Sequence, residues 1–381
     1  MSFLEGVRVV DATRLLPGGY CSMLLSDMGA EVVKVEQPGL GDYMRATPPT
    51  KGGRSPVHAT VNRNKRSIGI DLKSPGGKEV MRRLLKTADV FMEGFRPGAM
   101  SRLGFSFASV KRLNPKIVYC SISAYGQESR LSSMPGHDIN FQAMAGTMAY
   151  SKGAGVPLLQ LGDVASGMYA AVGILGALAG RKRGVFLDVP IVGSLLSWMV
   201  VPAAAYLATG KAPREKHSMI FGSTPYYNVY RTSDGGYMAV AAIEEVFWRN
   251  LVAALGVPGI QNKRFGTKEE RAFATSELKR AFASRTRDEW SKLLMGRDTC
   301  ATPVLTVEEA LTSDWAETME MLVDVGGDGQ VLNSPLRGAP AARKKPFTPA
   351  PDLGSDTLSI MKALGYAAPA VSRLKESGVI E

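Results

Sequence analysis

The sequence predicts an α/β protein, a Rossmann-like parallel sheet with a smaller α+β domain, and three stretches carry that expectation. Val7-Arg8-Val9-Val10 reads as a strand, a helical stretch follows, and Glu31-Val32-Val33-Lys34-Val35 reads as the next strand, so the chain opens on a βαβ unit. The pattern recurs as Ser67-Ile68-Gly69-Ile70-Asp71, a helix over Pro75 to Thr87, and Asp89-Val90-Phe91-Met92-Glu93. It recurs again as a helix over Leu103 to Leu113 and the strand Ile117-Val118-Tyr119-Cys120-Ser121. Strands joined by crossover helices pair in parallel, which gives a doubly wound sheet.

The individual elements follow from local chemistry. Pro17-Gly18-Gly19 reads as a turn before a helix over Tyr20 to Met28, which Gly29 closes because glycine takes the left-handed backbone a helix end needs. Val185 to Asp188 reads as a further strand. The stretch from Val189 to Gly210 is uncharged and about long enough to cross a bilayer. Pro190 and Pro202 bracket it, Arg183 and Asp188 stand close by, and no second span of that kind is evident, so one buried helix of a soluble protein is expected. Tyr226 to Tyr230 and Tyr237 to Val240, joined through Asp234-Gly235-Gly236, form a hairpin signal. Charged helices are expected over Lys268 to Ser284 and Arg287 to Met295, and residues 334–353 form a Pro-rich basic surface segment leading the chain back to the first domain. The expected division is a large domain over 1–188, a helical linker over 189–222, a small α+β domain over 223–325 and a return segment over 326–381.

Composition narrows the function. At 381 residues and 45% hydrophobic content the chain buries a large core. Lys and Arg number 46 against 35 Asp and Glu, a net charge of +11, which favours an anionic partner such as a nucleic acid, an anionic membrane or a phosphorylated small molecule. No nucleic-acid module and no basic block interleaved with aromatics is present, and Gly39-Leu40-Gly41 does not complete a dinucleotide-binding glycine pattern. Three cysteines, Cys21, Cys120 and Cys300, have no CxxC spacing, which argues against a structural zinc site or a disulfide framework and suits a reducing compartment. The N-terminal run lacks the basic and apolar regions of a signal peptide, so a cytoplasmic protein without membrane attachment is expected.

Three short motifs look like a proton-transfer site: Gly136-His137-Asp138-Ile139-Asn140-Phe141, Leu161-Gly162-Asp163 and Ala242-Ile243-Glu244. They place one of only three histidines (His58, His137, His217) and two carboxylates amid uncharged neighbours. Each has a plainer reading. Asp163, ahead of an apolar helix, also fits an N-cap. His137 beside Pro135-Gly136 also fits a loop histidine bonded to backbone. Glu244-Glu245 also fits the acidic start of a helix. Asp138 reads as a local hydrogen-bonding residue rather than a third acid.

Several longer runs resemble the class III CoA-transferase family: GVRVVDATRLLPGGYCSMLLSDMGAEVVKVEQPGLGDYMR, NRNKRSIGIDLKSPGG, ADVFMEGFRPGAM, the box SAYGQ and RDTCATPVLTVEEAL. They cover essentially the whole chain in the family's order. GHDINF, LGD and AIE resemble the α-methylacyl-CoA racemase branch, which implies His137 and Asp163 as the proton-transfer pair with Glu244 supporting the histidine. The run of consecutive glycines found in the transferase branch is not evident here. The resemblance also implies that Asn64-Lys65-Arg66 and Arg96, with Arg45 and Arg14 as further candidates, contact the CoA nucleotide, and that two chains interlock as a homodimer. Two stretches depart from the pattern, the shortened loop Arg181 to Gly184 and Ile220-Phe221-Gly222-Ser223-Thr224, so an altered acyl pocket is expected.

The chemistry stands without the name. A thioester acidifies its α-carbon, yet removing that proton still requires a stabilised enolate, and inverting the carbon requires one group on each face. An imidazole, which titrates near pH 6.5 in water, suits one face. A carboxyl tuned upward by burial suits the other. Ala165-Ser166-Gly167, opening a small-residue helix, are the expected enolate-stabilising N–H groups. The reading is an isomerase of lipid metabolism that moves the C2 proton of a 2-methylacyl-CoA, needs no metal or redox cofactor, and takes CoA as part of its substrate. The alternatives are a CoA-transferase that forms an anhydride and then a thioester on Asp163, and a catalytically silent CoA-binding protein.

Overall fold

The computed structural model describes residues 2–150, 155–212, 222–336 and 346–381. His217, Ile220-Phe221 and the 337–345 part of the Pro-rich segment lie outside the described residues. The chain divides into two units, Met1–Met199 with Asp314–Glu381, and Val200–Ser313.

The first unit holds six parallel strands: β1 (Arg8–Ala12), β2 (Glu31–Glu36), β3 (Arg66–Gly69), β4 (Val90–Glu93), β5 (Val118–Ser123) and β6 (Val185–Pro190). Their order is β3-β2-β1-β4-β5-β6, with every neighbouring pair parallel. Side chains alternate between two covered faces. Val9, Val32, Val90 and Val118 join one core, and Val10, Val33, Phe91 and Tyr119 the other. Burying both faces is what a parallel sheet requires, since its crossover helices lie on each side.

Three expectations are corrected. Pro17-Gly18-Gly19 is no turn but part of a helix that runs from Leu15 to Asp27. Proline at the third helical position gives up an N–H that has no partner there. Gly18 is required by contact rather than by a turn, because a Cβ on it would lie 2.0 Å from Thr13 Oγ1. The expected helix over Leu103 to Leu113 is two helices, Ala99–Leu103 and Phe107–Leu113. Gly104 stops the first at φ +92°, and Ser106 starts the second by accepting the Ser109 N–H. The single buried helix expected over Val189 to Gly210 is the end of β6 followed by helices Ile191–Ser197 and Val200–Thr209, bent by 73°. Pro190 caps the first and Pro202 sits in the first turn of the second, so the prolines start helices instead of bracketing one. No residue of Val200–Thr209 is buried, and Leu207 is 81% exposed. A second apolar helix of membrane-spanning length does exist, Leu161–Ala179, but it packs on the sheet and on the helix Leu15–Asp27.

That last contact is close. A Cβ on Gly167 would stand 2.6 Å from the Pro17 carbonyl oxygen, a backbone atom that a rotamer change cannot move. Gly167→Ala is therefore expected to destabilise the protein by about 1–3 kcal/mol, read as a lowered thermal midpoint.

Past the second unit, Leu322–Asp324 and Gln330–Leu332 form an antiparallel ribbon that straddles the expected start of the return segment at 326, and the chain from 346 onward packs against the parallel sheet within the first unit. Asn64 and Thr348 exchange hydrogen bonds of 3.1 and 2.9 Å, and Ile360, Met361 and Ile380 enter the core behind β1 to β4.

The second unit carries the antiparallel sheet β7 (Tyr227–Arg231), β8 (Tyr237–Ala241) and β9 (Ala301–Pro303), the first two forming the expected hairpin. Gly235 takes φ +85° at its turn. Helices Glu245–Leu255, Lys268–Phe282 and Arg287–Leu294 close a core around Trp248, Tyr230 and Phe282. Thr267 with Glu270 and Thr286 with Glu289 form capping boxes, which is why those two helices begin where they do.

Candidate active site

Parallel sheets bind ligands beyond the carboxyl ends of their strands, where the strand order reverses. Here that point lies between β1 and β4, and a cleft of about 480 Å³ opens there. Thr13 to Leu15 after β1, Gly94 to Pro97 after β4, Ile122 to Ala124 at the end of β5, His137, Asn140 and Asp163 line it. A smaller cleft of about 140 Å³ lies beside it over β2 and β3, lined in part by Gln37, Leu72 and Lys73. Thr13, Arg14 and Phe95 line both clefts, so the two adjoin.

A buried charge network holds the floor. Asp11 accepts from Thr13 N–H at 2.9 Å and from Ser22 Oγ at 2.6 Å. Lys34 Nζ donates to the Thr13 carbonyl at 3.1 Å and pairs with Asp42 at 2.9 Å. Asp42 accepts the Leu15 N–H at 3.1 Å, which fixes Leu15 in a left-handed conformation, φ +64°. Burial alone would raise the Asp42 carboxyl, but Lys34 and the backbone N–H groups outweigh it and hold it at about 2.

The structure brings His137 and Asp163 to the same cleft. His137 caps the helix Asp138–Ala145, with its N–H donating to Asn140 Oδ1 at 3.0 Å, and its side chain is exposed. Asp163 is the third residue of Leu161–Ala179, not its cap. The capping carboxylate comes from the other helix: Asp138 Oδ1 accepts from Gly162 N–H at 2.8 Å and Asp163 N–H at 3.1 Å, and Oδ2 accepts from Gln142 at 2.5 Å. Asp138 thereby ties the histidine helix to the aspartate helix. Asp163 itself is half-buried, and burial first, then the Asp138 charge, push its carboxyl up to about 7. Because the folded value is raised, the native chain holds a proton that the unfolded chain sheds, so this group weakens folding as pH rises from about 4 to 7.

The enolate-stabilising role expected of Ala165-Ser166-Gly167 is overturned. These residues lie inside the helix, where their N–H groups serve its own hydrogen bonds, and the first-turn N–H groups of Gly162 and Asp163 are taken by Asp138. Glu244 lies in the other unit from His137 and Asp163, exposed at the N-cap of Glu245–Leu255.

The expected CoA contacts divide. Lys65 is fully buried, with Nζ bonded to Ser22 at 2.6 Å and Asn62 at 2.9 Å, and burial lowers it to about 8. Asn64 bonds Asp27 and Thr348, Arg66 pairs with Glu31, and Arg45 makes a two-pronged pair with Glu36 at 2.9 and 2.7 Å. These four hold the fold. Arg14 lines both clefts, within 5.2 Å of the Tyr43 and Phe95 rings. Arg96 lines the large cleft and Lys73 the small one, each without a side-chain partner among the described residues. Lys73 was not singled out from sequence, nor was Ser123, which lies in the SAYGQ box; a lysine after a strand and a serine at a strand end carry no spacing signal of their own.

The fold is a doubly wound α/β sheet, and one cleft at its switch point carries both a carboxyl and an imidazole residue in its lining. The family model for CoA-transferase family III matches residues 4–357, and the chain belongs to that family. It is 32% identical to the human α-methylacyl-CoA racemase, over 99% of this chain and 97% of that protein. It is equally 32% identical to the mouse succinyl-CoA:glutarate CoA-transferase, over 100% of this chain and 91% of that protein. Among solved structures, a CAIB/BAIF family protein from Brucella suis superposes with a TM-score of 0.84 at 27% identity, covering 95% of this chain and 99% of that one. These relatives are racemases and CoA-transferases, so the family frames an enzyme of one of those two kinds.

Proposed function

We propose that the protein is a racemase that moves the C2 proton of a 2-methylacyl-CoA. The observation that carries this is a half-buried carboxyl pushed up to about 7 in the same cleft as an imidazole. A carboxyl near 7 exists in both protonation states at working pH, which is what alternating acid and base roles demand. His137 and Asp163 take one face of C2 each, and Glu244 orients His137 across an interlocked homodimer. The reaction calls on no metal or redox cofactor, takes CoA as part of the substrate and suits a cytoplasmic enzyme of lipid metabolism. The CoA phosphates meet Arg96, Lys73 and Arg14, cations that the fold leaves facing the clefts. Arg96→Ala is expected to raise KM for acyl-CoA roughly tenfold with little change in kcat, a loss of about 1.4 kcal/mol in ground-state binding.

A second reading is supported by the equal identity to a CoA-transferase: Asp163 attacks the thioester carbonyl and expels the CoA thiolate to give an anhydride, and the thiolate then attacks the aspartyl carbonyl, releasing the first acid and leaving an aspartyl-CoA thioester. NMR of a 2-methylacyl-CoA in D₂O separates the two. Deuterium entering C2 without an acceptor acid, and lost on His137→Ala and on Asp163→Ala, supports the racemase. Acceptor-dependent CoA transfer that survives His137→Ala, with no exchange at C2, supports the transferase.

A further inference from the structure

Among the side chains lining the large cleft, Ser123 stands apart. It ends β5 and is 5% exposed, and its hydroxyl has no hydrogen-bond partner among the described residues. The other buried polar side chain of that wall, Thr13, is bonded to Asp11 at 2.5 Å. A buried hydroxyl left unpaired costs about 1–3 kcal/mol, so a fold that keeps one at a ligand cleft retains a donor for something that enters. Its position is fixed. Ser123 stands opposite Pro190 on β6, and Ala124 accepts the Val192 N–H at 3.1 Å, so the end of the strand is held by β6 and the turn that follows it.

We infer that the Ser123 hydroxyl donates to the thioester oxygen of the bound acyl-CoA and stabilises the enolate that forms there. This rests on the racemase reading for its catalytic part. One member of the His137 and Asp163 pair takes the C2 proton, the C–H electron pair moves into the C1–C2 bond, and the C1–O π pair moves onto oxygen, where the Ser123 O–H meets the new charge. Collapse returns the electrons to C2, which takes a proton from the other member. The donor sits on a strand end rather than a loop, so it needs no rearrangement as charge develops.

The test uses the whole enzyme. Ser123→Ala is expected to lower kcat for C2 deuterium exchange roughly a hundredfold, with a smaller, several-fold rise in KM from the lost hydrogen bond to the bound carbonyl. Ser123→Thr keeps a hydroxyl on a strand end suited to β-branched side chains and is expected to retain most of the activity. Titration calorimetry supplies a readout that does not depend on racemisation. It compares a 2,2-dimethylacyl-CoA, which has a carbonyl but no exchangeable C2 proton, with the matching S-alkyl-CoA thioether, which has no carbonyl. Wild type is expected to prefer the carbonyl compound, and Ser123→Ala to lose that preference. Equal weakening of both ligands would place Ser123 on the CoA portion and overturn the inference, as would unchanged binding and rate. If wild type shows no exchange at C2 the racemase reading fails, while the carbonyl preference still decides what Ser123 contacts.

Discussion

Asp163→Asn is expected to lower C2 deuterium exchange by roughly 10²–10⁴-fold, with acyl-CoA binding kept. The amide preserves shape and keeps the backbone N–H that Asp138 accepts, so the loss isolates proton transfer from folding. On the racemase reading, the two directions of racemisation would use the two forms of one singly protonated pair, with the proton on His137 in one direction and on Asp163 in the other. Both directions must therefore follow one bell-shaped pH profile whose limbs belong to the pair. With the Asp163 carboxyl near 7, a limb falls close to neutral pH. Asp138→Asn, which keeps an oxygen acceptor for Gly162 and Asp163 but removes the neighbouring charge, moves the acid limb to lower pH. Exchange by Asp163→Asn at the wild-type rate would remove Asp163 from the chemistry.

Lys34→Met is expected to destabilise the protein by about 3–5 kcal/mol, read as the loss of the thermal or urea midpoint. Lys34 and Asp42 are both essentially without solvent, and Asp11 adds a second buried carboxylate near the same ammonium. Removing the cation leaves those carboxylates uncompensated, whereas an exposed pair such as Arg82 with Glu79 contributes little. The sign with pH follows from the cited shifts. Asp42 is depressed on folding, so its contribution is present above about pH 4 and is lost as pH falls through about 2. Lys34 is raised despite burial, because Asp11, Asp42 and Glu36 outweigh desolvation, so its share stands throughout the neutral range. The activity consequence is local too, because the same pair holds Thr13 and Leu15 at the cleft floor.

Much of this was legible in the residues. The helix Pro75–Thr87 falls where its Pro start and apolar spacing place it, and the strands follow their apolar runs. What sequence concealed was contact across distance. Gly18 looks like a turn residue until Thr13 is seen against it, and Gly167 looks like part of an anion site until Pro17 is seen against it. Charge was concealed for the same reason. Asn64-Lys65-Arg66 resembles a phosphate-binding run, yet Lys65 is consumed by Ser22 and Asn62, partners that no spacing rule connects to it. Asp138, read as a local hydrogen-bonding residue, proves to bond the start of a different helix.

The path of the chain has a further consequence for its synthesis. Ile360, Met361, Val371 and Ile380 complete the core behind β1 to β4, and Ile380 bridges to Ile70. The intervening unit, Val200–Ser313, has its own core and can close while the earlier strands still show an apolar face. Residues 1–199 therefore emerge from the ribosome before the segment that covers β3 and Ile70, so Ile68 and Ile70 are expected to stay uncovered until residues 346–381 have followed. Chaperone occupancy on this nascent chain should accordingly persist through the making of the second unit and end only with the arrival of the return segment.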